Sequence, residues 1–299
     1  MNKEKEYIDR INRVFDYIDL NIDKKINLDT LAEVACFSKY HFHRIFYSFT
    51  DESLYSYINR LRVERAAALL LTQKRTITSI AFSCGFNDSA TFSRAFRKHF
   101  RISPSAWIKK KNSKIDQEYK INTAYIYSRD LIKESITKAA VIEEKTLQAM
   151  TVVYIRYTGS YARNNSLFHS LHKMLMDWGQ ERKLLNYPAT KDVIIYHDPI
   201  GITDENRLRI SVGITVSDDV LVSGEIGKLT IPNGRYIICR FELKNDEYGQ
   251  AWTHVYRKII PQRGLQPRDS YCFEMYPCDC YNKESKTTTV DICIPIKQL

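Results

Sequence analysis

Phe42-His43-Arg44-Ile45-Phe46 returns fifty residues later as Phe92-Ser93-Arg94-Ala95-Phe96, and Ser53 and Tyr57 return as Ser103 and Trp107 at the same offset. Each copy follows a small-residue-rich amphipathic stretch, Leu28-Asp29-Thr30-Leu31-Ala32-Glu33-Val34-Ala35 in the first case and Ile77-Thr78-Ser79-Ile80-Ala81-Phe82-Ser83-Cys84 in the second. A short break comes next, and then a residue suited to an N-cap, Ser38 or Asn87. A short helix, a tight turn and a capped second helix are the sequence pattern of a helix-turn-helix. The repeat predicts two of them, over about 28–49 and 77–99.

Outward from the repeat, Ile8, Ile11, Val14, Phe15 and Ile18 recur with helical period, so an amphipathic helix is expected over 5–20. A long helix over 53–72, burying Leu54, Tyr57, Ile58, Leu61, Ala68 and Leu69, would join and fix the two helix-turn-helices. Pro104 would open a last short helix through Trp107. The run Lys109-Lys110-Lys111-Asn112-Ser113-Lys114 is polar and basic and ends this all-α domain, read as 1–112, with a linker over 113–140.

Charge divides the chain in the same place. Of 45 basic and 35 acidic residues, 21 and 12 lie in the first 115, a balance of +9, which leaves 24 and 23 for the remainder. The excess falls on the half that carries the repeat, as attraction to a phosphate backbone requires. A merely solvated basic surface is the plainer explanation of the charge taken alone. No apolar run approaches the roughly 20 residues of a membrane span, and the opening Met1-Asn2-Lys3-Glu4-Lys5-Glu6 lacks the apolar core of a signal peptide. A cytoplasmic protein without a membrane partner is expected. The seven cysteines are an odd number, and Cys278-Asp279-Cys280 has no second pair or histidines nearby, so neither a disulfide framework, a metal nor a cofactor is expected.

From Val141 the pattern changes to alternating, β-branched stretches at 150–157, 193–197, 208–216, 226–231, 235–243, 270–276 and 288–296. Helical patterns at 166–182 and 247–260 interrupt them at similar places in two successive halves. An α+β domain over 141–299 follows, built from a duplicated β-α-β-β unit.

The first domain resembles the DNA-binding domain of the AraC/XylS family of bacterial transcription regulators. The resemblance runs from Leu28 to about Ile108. It is carried by Leu61-Arg62-x-Glu64-Arg65-Ala66-x-x-Leu69-Leu70, by Ile77-x-x-Ile80-Ala81-x-x-x-Gly85-Phe86, by Phe92-Ser93-Arg94-Ala95-Phe96-Arg97-Lys98 and by Ile102-Ser103-Pro104. Where the family often has glycine, this chain has Cys36, Asp51 and Arg101, at places that demand turn geometry. The second domain resembles the GyrI-like effector-binding fold. That resemblance rests on Tyr157-Thr158-Gly159-Ser160-Tyr161, Tyr196-His197-Asp198-Pro199, Ile231-Pro232-Asn233-Gly234-Arg235-Tyr236, Phe273-Glu274-Met275-Tyr276 and Val290-Asp291-Ile292-x-Ile294-Pro295-Ile296. It implies a pseudo-twofold domain with a central cleft.

Groove-facing residues must be those the core does not use. With Phe42, Ile45 and Phe46 on the apolar stripe, Tyr40, His43 and Arg44 point outward, and the family resemblance sets these positions against bases. Their counterparts in the second copy are Ser89, Ala90, Thr91 and Arg94. Arginine suits guanine by its bidentate fork, and it grips phosphate equally well. A surface ion pair is the simpler role for either arginine.

In the second domain Glu274 interrupts the apolar run Tyr271-Cys272-Phe273-Glu274-Met275-Tyr276, and strand alternation puts it on one face with Cys272 and Tyr276. Such a carboxylate either meets water on an edge strand or sits in an apolar cavity, where it favours a cationic or hydrogen-bonding ligand. The GyrI-like resemblance implies a glutamate of this strand at the base of the ligand cleft. Tyr154, Trp252, Tyr256 and Tyr276 are the candidate aromatic wall. These readings converge on a regulator of transcription with duplex DNA, a small effector and RNA polymerase as partners, and not on an enzyme. A hydrolase or a protein-interaction module in the second domain are the rival readings.

Overall fold

The computed structural model of the protein describes residues 3–72, 75–113, 136, 141–162, 164–268 and 270–298. Leaving residues 223–225 aside, the chain divides into two compact units that part near residue 118. The linker expected over 113–140 lies outside the described residues except at Ser113 and Ile136.

The first unit is helical: α1 Lys3–Leu20, α2 Leu28–Val34, α3 Lys39–Thr50, α4 Leu54–Thr72, α5 Ile77–Ser83, α6 Ser89–Phe100 and α7 Pro104–Ser113. Side-chain caps start the short helices. Asn27 accepts from the Thr30 amide at 2.8 Å, Ser38 from His41 at 3.4 Å, Thr76 from Ser79 at 3.1 Å and Ser103 from Ala106 at 3.2 Å. The cap of α6 is Asp88, one residue beyond the expected Asn87, because its carboxylate takes both the Thr91 amide at 2.7 Å and the Thr91 hydroxyl at 2.8 Å. The turns between paired helices pass through a left-handed residue, Cys36 at φ 51° and Gly85 at φ 84°, and Asp51 and Arg101 close α3 and α6 at φ 53° and 62°. Three non-glycine residues thus hold the turn geometry glycine adopts more readily.

Helix α4 touches α3, α5, α6 and α7, so its burial is not confined to one stripe. Leu54, Tyr57, Ile58 and Leu61 are buried as the pattern predicts. Val63, Ala66, Ala67 and Leu70 take the places expected for Ala68 and Leu69, which are half-buried. Polar groups on α4 tie the two helix-turn-helices together. Arg62 Nε donates to the Ile22 carbonyl at 2.8 Å just after α1, and its guanidinium lies where a Cβ on Gly85 would fall, 2.8 Å from Nε. Glu64, almost wholly buried, takes Arg60 at 3.2 Å and His99 of α6 at 3.4 Å, while Arg60 also holds Glu52 at 3.0 Å.

The second unit is built on a sheet whose strands are β1 Val141–Leu147, β2 Met150–Thr158, β3 Asp192–Tyr196, β4 Arg209–Val216, β5 Ile226–Ile231, β6 Gly234–Leu243, β7 Leu265–Pro267, β8 Cys272–Tyr276, β9 Tyr281–Asn282 and β10 Thr287–Gln298. Their spatial order is β1-β6-β10-β8-β3-β4-β2-β5, with β7 and β9 pairing β10. Helix α8 Asn165–Glu181 joins β2 to β3. Between β6 and β8 run α9 Tyr248–His254, a π-helical turn Val255–Ile259 and α10 Ile260–Gln262. The continuous helix expected over 247–260 is therefore broken by the wider turn. α-Helix resumes at Ile260 and runs through Pro261, which has no N–H to bond back along the helix, to Gln262.

The order reads as two copies of one unit meeting at the antiparallel β3/β8 pair, where Ile194 faces Glu274 and Tyr196 faces Cys272. The α+β class and the duplication stand, and each copy has a leading strand beyond the β-α-β-β pattern, the second copy carrying the short β7 and β9 besides. β1 precedes β2 in one copy and β5 precedes β6 in the other, and these leading strands are exchanged: β1 pairs β6 and β5 pairs β2. Both helical segments pack on one sheet face, α8 over Val153, Ile155, Ile210 and Val212, and α9 to α10 over Ile237, Phe241, Ile292 and Ile294. The opposite face gathers Val152, Tyr154, Val193, Tyr236, Phe273 and Cys293.

Gly85→Ala tests the coupling through α4. A methyl group there would meet the Ile22 carbonyl at 2.7 Å in a left-handed conformation, and the first unit is expected to lose about 1–3 kcal/mol in chemical denaturation followed by circular dichroism.

Candidate functional site

On α3 the side chains divide as the core requires. Phe42 and Phe46 are fully buried, Ile45 is half-buried, and Tyr40, His43 and Arg44 are exposed together. The Arg44 guanidinium lies 4.4 Å over the Tyr40 ring, which holds it against the helix. On α6 Ser89, Ala90 and Arg94 are exposed and Thr91 is half-buried. Arg94 is held differently, donating to the Thr91 hydroxyl at 3.0 Å, which in turn donates to Asp88. Hydrogen bonds from the Thr91 amide and hydroxyl keep the Asp88 carboxyl below the usual carboxylate range, so the charge that fixes this chain persists.

In the second unit Glu274 is 1% exposed, and β8 lies between β3 and β10, so it is no edge-strand glutamate. Nor does it stand unpaired in a cavity. Trp252 Nε1 of α9 donates to Oε1 at 2.6 Å, and the Tyr276 and Tyr196 hydroxyls donate to Oε2 at 2.8 and 3.0 Å. Burial without donors is costly, so the site satisfies its carboxylate from the surrounding rings. Desolvation still outweighs those three bonds and raises the Glu274 pKa. Burial and the neighbouring carboxylate push the Tyr196 and Tyr276 hydroxyls well up, so both remain donors.

Rings continue on both sides. Phe168 and Tyr161 meet edge-on, Tyr161 lies 6.0 Å from Tyr196, Tyr196 meets Trp252 edge-on at 5.4 Å, and Trp252 stacks on Tyr256 at 6.2 Å. This arc runs from α8 across the β3/β8 seam to the helical segment after β6. The Tyr161 hydroxyl is buried with no hydrogen-bond partner among the described residues, and burial together with Asp198 and Glu274 pushes its pKa up. It is a donor without an acceptor, close enough to Glu274 to feel its charge.

The structure brings Glu274, Trp252, Tyr256 and Tyr276 together and leaves Tyr154 out. Tyr154 lies on the opposite sheet face, fully buried, with its ring against Gly227 and beneath the Arg156 guanidinium at 4.8 Å. Its cross-strand partners are Gly213 and Gly227, and Gly227 makes the space that the ring needs in the core. Sequence reasoning passed over Tyr196, Tyr161 and Phe168. The first two sit inside motifs already singled out, so the signal was present and only the cross-strand register was missing. Among the described residues no group of three His, Cys, Asp or Glu could hold a metal, and no helix is long and apolar enough to cross a membrane.

The model of the GyrI-like small molecule binding domain matches residues 141–297, and that of a helix-turn-helix domain matches residues 31–110. Regulatory protein SoxS of Salmonella typhimurium is 37% identical over 95 residues, 32% of this chain and 89% of SoxS. The chain belongs to the AraC-type regulators and to the GyrI-like family. The Tn10 TetD protein of Escherichia coli is 34% identical over 116 residues, 37% of this chain and 84% of its own length. The solved DNA-binding domain of AdpA in complex with a target DNA is 25% identical, covers 37% of this chain and 99% of that one, and superposes with a TM-score of 0.35. The AraC-type part is thus the helical unit, and the GyrI-like part is the ten-stranded unit with Glu274 at its seam.

A raised carboxyl pKa costs stability as pH rises. Unfolded Glu274 ionises near 4.5 while the folded form stays protonated to higher pH, so the penalty is absent below 4.5 and complete above the folded pKa. Glu274→Gln removes that penalty. Its GyrI-like unit is expected to melt higher than wild type at pH 8, with the gap closing as pH falls toward 4.5 in calorimetric scans.

Proposed function

We propose that this AraC-type regulator reads duplex DNA with α3 and α6 and that its GyrI-like unit senses a cationic, aromatic small molecule at Glu274. The regulator class and the small-molecule-binding class follow from the family. The residues and the effector chemistry are our reading. The observation that carries it is a buried carboxylate at the seam of two repeats, ringed by Trp252, Tyr196 and Tyr276. A cation entering the arc would gain the Glu274 charge and the faces of the rings, while the three donors keep the carboxylate supplied when the site is empty. On the DNA side, one chain whose two helix-turn-helices are tied through α4 would contact groove segments about one turn, roughly 34 Å, apart. Tyr40, His43 and Arg44 would face one segment and Ser89, Ala90, Thr91 and Arg94 the other. RNA polymerase is the further partner such a regulator acts on, and residues 1–112 and 141–299 are our proposed division of labour.

Arg44→Ala and Arg94→Ala are each expected to weaken binding to a selected operator by ~1–3 kcal/mol, with little change on random duplex, in anisotropy titrations. Equal loss on both duplexes would make them phosphate contacts.

For the effector, N-methylacridinium and neutral acridine at pH 8 differ in charge and share a shape. Glu274→Gln is expected to weaken the cation about 10–100-fold in calorimetry, roughly 1.4–2.8 kcal/mol, by removing its counter-charge, and to leave acridine nearly unchanged. Affinity of the wild type for the cation should rise with pH through the raised Glu274 pKa and then level off. Equal binding of the cation by both proteins would remove Glu274 as counter-ion, and consumption of the probe would point to turnover.

A further inference from the structure

Of the seven cysteines, Cys84, Cys239 and Cys293 are buried, where a thiol packs as a small apolar group, and Cys272 meets the Tyr256 hydroxyl at 3.3 Å. Cys278 and Cys280 have neither setting. They flank Asp279 in the turn that leaves β8, Cys278 exposed and Cys280 half-buried. Asp279 is left-handed at φ 58°. A turn residue of that kind folds its neighbours' Cα atoms to about 5–6 Å apart, inside the range of about 4.4–6.8 Å that a disulfide spans. An extended chain would hold them about 6.6–7.2 Å apart, at or beyond that limit.

The surroundings give the two sulfurs different parts. Burial and the Asp192 carboxylate push the Cys280 thiol up, and Asp279 and Cys278 add to the shift. Asp192 is itself held in place, taking the Tyr187 hydroxyl at 2.6 Å and lying 3.2 Å from His172 Nε2. An oxidant from solvent therefore meets Cys278 first, with Cys280 behind it in the same turn as a protonated reserve.

The turn also adjoins the Glu274 network. At its far end the Thr289 amide donates to the Cys280 carbonyl at 2.7 Å, and β9 pairs with β10 directly afterwards. At its near end stands Tyr276, the last residue of β8, which pairs with Asp192 across the seam and donates to Glu274 at 2.8 Å. The Tyr248 hydroxyl lies against Tyr276 and Thr288 and feels the charge of Cys280. A turn drawn tight between two fixed ends passes its displacement to the side chains against it, here Tyr276 and Tyr248.

We propose that Cys278 and Cys280 are a redox-active dithiol, a site that hydrogen peroxide closes to a disulfide and whose closure shifts the hydrogen bonds around Glu274. The Cys278 sulfur attacks one peroxide oxygen as the O–O bond breaks, giving a sulfenic acid and a first water. The Cys280 sulfur then attacks the Cys278 sulfur, the S–O bond breaks, and the hydroxyl leaves with the Cys280 proton as a second water. The two sulfurs together lose two electrons, and the peroxide gains them. A small thiol reopens the bond by exchange, as exposed disulfides allow. The identity of the effector does not enter, and the second half of the proposal uses only the bonds to Glu274 described above.

The test treats the full chain, reduced and freed of reductant, with hydrogen peroxide, and follows the tryptic peptide Asp269–Lys283 by tandem mass spectrometry. Loss of two hydrogens between Cys278 and Cys280, reversed by dithiothreitol, is expected. Cys280→Ser should instead hold a sulfenic acid on Cys278 that dimedone traps, and Cys278→Ser should form neither product. In a heteronuclear NMR spectrum the Trp252 indole N–H, which donates to Glu274 at 2.6 Å and is assigned through Trp252→Phe, should shift on oxidation of the wild type. It should stay in place in peroxide-treated Cys278→Ser, and the Trp107 and Trp178 signals should stay in place in both. Comparison of oxidised with reduced wild type carries the test if a serine variant does not fold. Thiols that survive peroxide, single oxidation without closure, or a bond to Cys272 or to a second chain overturns the dithiol. A closed disulfide that leaves the Trp252 signal unmoved overturns the link to Glu274.

Discussion

A carboxylate carried into the middle of a sheet needs donors around it, and the second unit is arranged about that requirement. Glu274 stands on β8 beside the seam, facing Ile194 across the β3/β8 pair. Its donors come from three separate places: Tyr276 on its own strand, Tyr196 on the strand of the other repeat, and Trp252 on the helical segment above. Losing register at the seam would strip away at least one of them. The same bonds that make burial bearable therefore fix how the two repeats meet. Desolvation still prevails over the donors and raises the pKa, so the site stays short of the stabilisation a counter-charge would bring.

The first unit answers a different constraint, holding two copies of one motif in a fixed relation. Repetition alone would produce two independent helix pairs. Arg62 and Glu64, two residues apart on α4, prevent this by reaching the Ile22 carbonyl on one side and His99 on the other. Glu64 is buried with Arg60 against it, and a buried ion pair is weak evidence for stability but a strong constraint on position. The helix is buried on nearly every side because it serves both copies.

Much of this arrangement was legible in the amino-acid order, and the failures have physical causes. The fifty-residue offset and the cap residues place α2, α3, α5 and α6 within a residue or two, because capping and apolar period are local properties. Strand β5 matches its expected span for the same reason. β1 was missed because Val141-Ile142-Glu143-Glu144-Lys145-Thr146-Leu147 is mostly exposed and polar, so it alternates weakly. The short β7 and β9 form by pairing with β10, which no local pattern records. At the site, Glu274, Trp252, Tyr256 and Tyr276 could be gathered because each lies on a recognisable strand or helix. Tyr196 could not, since its bond to Glu274 spans 78 residues and depends on register. Tyr154 was misplaced because aromatic character does not say which sheet face a strand turns toward the helices.

The exchange of leading strands sets the order in which the molecule can be made. Helical units rich in local contacts fold as a class on the microsecond-to-millisecond scale. β1 has no partner until β6 emerges, since Val141 pairs with Arg240. At 5–20 residues per second the ribosome needs roughly 5–20 s to cover that distance. β6 in turn borders β10, and β3, which pairs β4 early, gains its second neighbour only with β8. A newly made chain therefore carries the whole AraC-type segment for several seconds before the strands of the GyrI-like sheet can all pair. During that interval the small-molecule-binding fold is incomplete.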